Sequence, residues 1–371
     1  MKLEIKSGRI LFLFLLVSLF STDVPGEFRI TTNPGGQWYP AIYGDIVIWE
    51  DKRNGNWDIY GCNLSTKEEF PITTDPSDQE HLAIYGDIVV WQDYRNGETD
   101  IYGYNISTKE EFQITTDPNV QMYPAIYGDI VVWEDTRSGE LDIYGCRIST
   151  KEEFQITTDP SFQRSPSIYR DIVVWDDYRN GPCNGGWDIY GYNLSTKEEF
   201  RITTDPEDQT GPKIYGDIVI WTDDRNEDFD IYGYNLSTKE EFRITTGLGI
   251  HVQPAIYENI VIWLDRNGKK DVRDTSNDIY GVNLSTKEEF QIMIEGSPEL
   301  PAIYGNIVVW GDSRNKELNI YGCVLPSSIT QPAEKPTEEK PEEGENGRIC
   351  LGTLFVAFLL IGGIVTHLRR K

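Results

Sequence analysis

The sequence predicts an all-β fold, a seven-bladed β-propeller closed by an N-terminal outer strand, carried with a signal peptide and one C-terminal transmembrane helix. Three observations predict it. A tryptophan recurs as Trp49, Trp91, Trp133, Trp175, Trp221, Trp263 and Trp310, at spacings of 42, 42, 42, 46, 42 and 47 residues. Each unit carries four short strand signals, the pattern of a propeller blade. The fourth strand missing from the last unit is found ahead of the first.

Within a unit the strands follow in order. "PAIY" runs into Gly-Asp, a two-residue hairpin turn that needs positive φ at its first position. "DIVVW" is β-branched and continuously apolar, as a strand buried on both faces must be. "RNG" supplies the next turn, "DIYGYNLS" a third strand, "STKE" a polar turn and "EFQITT" a fourth. "DP" then leads into the next inner strand. Both long spacings fall between the Trp and the following Asp-Ile-Tyr-Gly, as inserts around Cys183 and Asp274. Insertions confined to one point of a repeat mark a surface loop. Solenoid repeats of this length are normally helical, and residues 27–325 show no helical apolar spacing.

The ends of the array point to a ring. The seventh unit stops at "NIYGCVLPSS" without a fourth strand, while "EFRITTNP" stands alone at Glu27–Pro34. Pairing that strand with the unfinished blade removes both free edges.

"IVVWEDTRSGELDIYG" followed by "EFQITTDP" resembles the TolB-type propeller repeat. It is similar also to the propeller repeats of archaeal, particularly methanogen, cell-surface proteins. The resemblance covers residues 27–325. It implies the fold, and propellers of this kind serve as transport scaffolds, peptidase gates, lyases and surface proteins alike.

The termini suggest export. Lys2, Lys6 and Arg9 precede "ILFLFLLVSLF", a run short for a bilayer and suited to a signal peptide, so residues 1–26 are assigned to that region. Ile349–Thr366 is uncharged and mostly apolar, followed by Arg369, Arg370 and Lys371. This predicts a transmembrane helix over 349–367 with a basic cytoplasmic tail at 368–371. Between propeller and helix, residues 326–348 are rich in Pro and Glu and form an extended spacer reaching about 70 Å. The expected location is the cell surface, with the propeller outside and the chain held in the membrane by its C-terminal helix. The formal net charge is −27. Lys and Arg form no basic stripe, which argues against nucleic acid as a partner.

Several residue sets could carry chemistry. Trp-x-Asp-x-Arg recurs in six units, and a carboxylate two residues from a guanidinium can pair bidentately and pin the hairpin. Asp58, Asp100, Asp142, Asp188, Asp230 and Asp278 open the third strand, where they read as turn caps. Their spacing lacks the alternate acids of a calcium loop. Cys62, Cys146 and Cys323 share one third-strand position with Tyr and Val, which marks a packing site, and no disulfide framework is expected. Asn63, Asn105, Asn193, Asn235 and Asn283 each begin an Asn-x-Ser sequon and are glycosylation candidates in an exported chain.

The loops leading into the inner strands vary most between units. Gln37, Gln79, Gln121, Gln163 and Gln209 are central in five of them, and His251 takes that place once. Around them lie Trp38, Tyr39, His81, Tyr123, Phe162 and Arg164. These loops are expected to cluster at one mouth of the channel and to bind sugars or peptide segments by stacking and hydrogen bonding. Catalysis is not expected. The resemblance to lyases of pectin fragments would call for a His-rich metal centre, whereas the propeller has only His81 and His251, and Gly-x-Ser-x-Gly is absent. No cofactor is expected. The sequence therefore reads as a surface module for binding, adhesion or envelope structure, with an extracellular glycan or protein as ligand; the alternative is a secreted carbohydrate-active enzyme.

Overall fold

The computed structural model describes residues 22–24, 26–181, 186–226, 228–247, 249–266, 277–292, 294, 296–314 and 317–330. The expected transmembrane helix and basic tail, most of the stalk, and the leader up to residue 21 lie outside them. So do Cys183, Asp274 and Cys350. Among the described residues no helix is long and apolar enough to cross a membrane.

Seven antiparallel sheets form the seven blades. Blade one consists of Gln37–Tyr43, Ile46–Asp51, Asp58–Asn63 and Glu68–Pro71, from the channel outwards. The second strands are the core. Val47, Ile48 and Trp49 are fully buried, as are their counterparts in the other blades except Trp263, which is 6% exposed. Residues alternate between the two faces of a blade, so each face packs on a different neighbour. Ile48 joins Val89 and Trp91 of blade two, whereas Val47 and Trp49 join Val309 and Ile320 of blade seven.

A second lattice pins the outer strands. Trp49 Nε1 donates to Asp51 Oδ2 at 2.9 Å, and Arg53 Nε donates to Asp51 Oδ1 at 2.8 Å. Arg53 also pairs with Glu69 on the fourth strand, and its guanidinium lies 3.9 Å from the Tyr60 ring. The same Trp–Asp–Arg–Tyr–Glu set recurs in blades two, four and five. A side-chain hydroxyl completes it: Thr73 Oγ1 accepts the Ile59 N–H at 2.8 Å. The third-strand glycine has its own reason, since a Cβ on Gly61 would lie 2.9 Å from the Phe70 ring.

The ring closes as the repeat requires. Phe28 and Arg29 pair with Gly322 and Tyr321 of blade seven, and Glu27 takes the place of Glu69 by binding Arg314. Two segments extend the fold beyond the expected limits. Thr22–Val24, assigned above to the leader, runs parallel to Phe290–Ile292 as a fifth strand on blade six. Ser327–Thr330, assigned to the spacer, is a short helix whose Ile329 is fully buried among the cores of blades six and seven.

Candidate functional site at the channel mouth

Each inner strand carries a register shift just after it begins, and the residue inside the shift has positive φ. The seven are Tyr39, His81, Tyr123, Ser165, Gly211, Gln253 and Leu300, with φ between 50° and 66°. Only one is glycine. A bulge of this kind re-aims a side chain, and left-handed backbone at non-glycine residues costs about 1–3 kcal/mol each. The fold holds this strained ring at one end of the channel.

Three of the expected residues meet there. The rings of Tyr39 and His81 lie 5.6 Å apart, and those of His81 and Tyr123 lie 4.3 Å apart. Tyr39 is 41% and Tyr123 45% exposed, so the arc across blades one to three presents aromatic surface to solvent. Trp38 sits beside it, edge-on to Trp57 at 6.4 Å. Arg164 lies on blade four with its guanidinium 3.7 Å from the Trp187 ring, and Phe162 is exposed nearby in sequence.

The glutamines are placed differently from the expectation. Gln37, Gln79, Gln121, Gln163 and Gln209 are fully buried. Each opens its strand opposite the aspartate of the Trp-x-Asp-x-Arg set, and its Nε2 holds the carbonyls of its own loop, at 2.6 Å for Ser77 and for Ser161. They brace the mouth from behind. His251 does likewise: it is 5% exposed, and its Nδ1 lies 3.2 Å from Asp230 Oδ1.

The residue after each core tryptophan, which the sequence reading passed over, lies directly behind the strained ring. Its identity changes from blade to blade: Glu50, Gln92, Glu134, Asp176, Thr222, Leu264 and Gly311. Three are buried carboxylates that accept the N–H of the strained residue in the next blade. Glu50 accepts from His81 at 2.6 Å, Glu134 from Ser165 at 2.7 Å and Asp176 from Gly211 at 2.8 Å. Burial pushes the Glu50 carboxyl up to about 8, and those of Glu134 and Asp176 to about 7. Desolvation lowers the pKa of His81 and raises those of Tyr39 and Tyr123. The mouth thus holds groups poised to exchange protons near neutral pH. Among the described residues no three His, Cys, Asp or Glu side chains are placed to hold a metal ion.

The opposite end of the channel is uniform. Tyr43, Tyr85, Tyr127, Tyr169, Tyr215, Tyr257 and Tyr304 end the seven inner strands and form an unbroken ring, with neighbouring centroids 4.5–4.9 Å apart. Their interplanar angles of 44–55° bracket one-seventh of a turn, so the rings stand nearly parallel to the channel axis. The sequons lie on this face too. Asn63, Asn105, Asn193, Asn235 and Asn283 each cap a turn, their Oδ1 accepting the N–H groups of the following Ser and Thr at 2.9–3.2 Å. Asn283 is buried, and its Nδ2 donates to the Ile329 carbonyl at 2.7 Å. Four of the third-strand Asp residues cap the preceding turn, with Asp58, Asp100, Asp188 and Asp230 accepting from the Nδ2 of Asn54, Asn96, Asn180 and Asn226 at 2.5–3.0 Å, whereas Asp142 accepts from Thr157 Oγ1 at 2.8 Å. Cys62, Cys146 and Cys323 are buried free thiols.

No family model and no curated protein sequence matches the chain. Solved structures do. An oligogalacturonate lyase from Vibrio parahaemolyticus aligns with TM-score 0.63 and 15% identity, over 82% of this chain and 94% of its own. A puromycin-hydrolysing peptidase from Mycobacterium tuberculosis aligns with TM-score 0.63 and 10% identity, over 83% of this chain. The alignment spans 54% of that peptidase. TolB from Acinetobacter baumannii is also similar, with TM-score 0.45 and 13% identity. The expectation that the chain is not an enzyme is overturned by these likenesses, since a lyase and a peptidase carry the same fold. At these identities the likeness establishes the seven-bladed propeller itself.

Proposed function

We propose that the protein is a ligand-binding propeller held at the cell surface, and that its site is the mouth around Tyr39, His81 and Tyr123. The observation that carries this reading is the arc of three aromatic rings on strained backbone, exposed at the one end where the blades differ. Exposed aromatic faces beside buried hydrogen-bonding carboxylates suit an extended extracellular glycan or a protein segment.

A second reading is a carbohydrate-active enzyme of lyase type. It is favoured by Glu50, Glu134 and Asp176, whose raised pKa values suit general acid–base work. One experiment bears on both. Glycan and peptide arrays probed with the full chain, alongside an assay for cleavage of uronic-acid polymers, identify the ligand. Replacing Tyr39 and Tyr123 together with Ala should then weaken binding at least tenfold, at about 1 kcal/mol per lost stacking contact, with an unchanged melt. Normal binding by that variant would remove the mouth as the site.

A further inference from the structure

The waist of the channel lies between the strained ring and the tyrosine ring, and each inner strand gives it one residue. These are Ala41, Ala83, Ala125, Ser167, Lys213, Ala255 and Ala302. Six are small. Lys213 is exposed although it sits in the middle of the innermost strand of blade five, where the only solvent is that of the channel. Among the described residues its side chain makes no hydrogen bond or ion pair. The nearest influence on it is Asp176, but both oxygens of that carboxylate are engaged, Oδ1 by the Gly211 N–H and Oδ2 by Arg164 at 3.3 Å. Desolvation inside the channel holds the Lys213 ammonium below its ordinary pKa.

We propose that Lys213 is the anchor for the terminal carboxylate of an extended peptide entering from the mouth. An unpaired ammonium in a confined space lacks the partner that would offset its desolvation, and an incoming anion supplies one. Beyond the waist an occupant meets the tyrosine ring, whose neighbouring rings lie 4.5–4.9 Å apart, with the Arg170 guanidinium 5.4 Å from the Tyr169 ring at that end. The wall explains why the occupant is a peptide. The inner strands are sheet edges whose free backbone groups can bond another backbone. The inference rests on the mouth being a binding site and names the chemistry of what enters it.

The test uses the full chain in detergent and two arrays of the same decapeptides, one with free C-terminal carboxylates and one with C-terminal amides. Free acids should bind at least tenfold more tightly than their amides. Lys213→Ala installs the residue that five blades already carry, so the fold should hold, as a thermal melt would confirm. It should bring free acids down to the level of the amides, and Lys213→Arg should restore the preference. Equal binding of acids and amides by the wild type overturns the proposal. So does a preference that survives Lys213→Ala, a failure to bind any peptide, or a Lys213-dependent site that takes only a polyuronate. Loss of binding in the Tyr39/Tyr123 variant without any carboxylate preference would leave the mouth as a site and remove only the anchor.

Discussion

The two ends of the channel are built from the same seven strands and have opposite character. At one end seven tyrosines repeat without exception, each touching the next. At the other the corresponding positions hold two tyrosines, a histidine, a serine, a glycine, a glutamine and a leucine, backed by three carboxylates and Gln92. What repeats in every blade closes the ring or pins a blade. What differs between blades breaks the symmetry, and a ligand without sevenfold symmetry can be recognised only by groups that break it. Repetition and recognition are therefore separable by mutation.

The largest effect should come from the seam. A chain beginning at Tyr39 loses Phe28, Arg29 and Glu27, and with them the outer edge of blade seven. It should aggregate and lose its cooperative melt by calorimetry; a melting temperature equal to that of the full chain would mean that repetition does not depend on closure. Asp93→Ala should follow. Asp93 is fully buried and binds Trp91 Nε1 at 2.8 Å and Arg95 at 2.7 Å, so its removal should cost about 3 kcal/mol while mouth binding stays the same. Weakened binding at unchanged stability would reverse the assignment of the two regions.

The third effect is one of pH. Glu50 is held near 8, Glu134 and Asp176 near 7, above the ordinary carboxylate value of about 4. A carboxyl raised on folding keeps a proton that the unfolded chain has lost. Its stabilising contribution is complete below about pH 4 and disappears as the pH rises through the folded value. The melting temperature should therefore fall between about pH 5 and 8. Glu50→Gln keeps the acceptor for His81 and should flatten the upper part of that fall; an unaltered slope would acquit Glu50. The smallest effect concerns the repeated rim. If the chain is exported and glycosylated, Asn63, Asn105, Asn193 and Asn235 should carry glycans while Asn283 stays bare, because Ile329 occupies its amide. Glycopeptide mass spectrometry that finds Asn283 filled would show that the short helix does not stay docked.

The fold was legible because its punctuation is local. Gly-Asp turns, the Trp-x-Asp-x-Arg set and the displaced "EFRITT" each state a contact that the structure makes. Even the exceptions follow the rule: Arg170 and Glu258 adopt the positive φ of the hairpin glycines they replace. The mouth was legible only in part. Tyr39, His81 and Tyr123 stood out as bulky residues in varied loops, and they do converge. The glutamines were misjudged because a polar residue in a varied loop resembles a ligand contact, whereas each is the first rung of a ladder and faces inwards. Glu50, Glu134 and Asp176 were missed because they lie between a Trp and an Asp that never change. The signal was present in their own variation, and "PKIY" among six "PAIY"-like segments marked Lys213 in the same way.

The seam also has a consequence in time. The Arg–Glu bond that spans 16 residues in blade two spans 287 in blade seven. By the logarithmic dependence of loop closure on length, the long closure costs about 2.5 kcal/mol more in chain entropy for the same contact. Blade seven is thus the last to be completed and the first to open. Its outer strand emerges before any of the seven inner strands during synthesis, and it must wait for the rest of the ring. A molecule opened at that point presents an unfinished sheet at one terminus and its missing strand at the other. Two such molecules can exchange strands, so the device that seals one ring is also the route by which two would interlock.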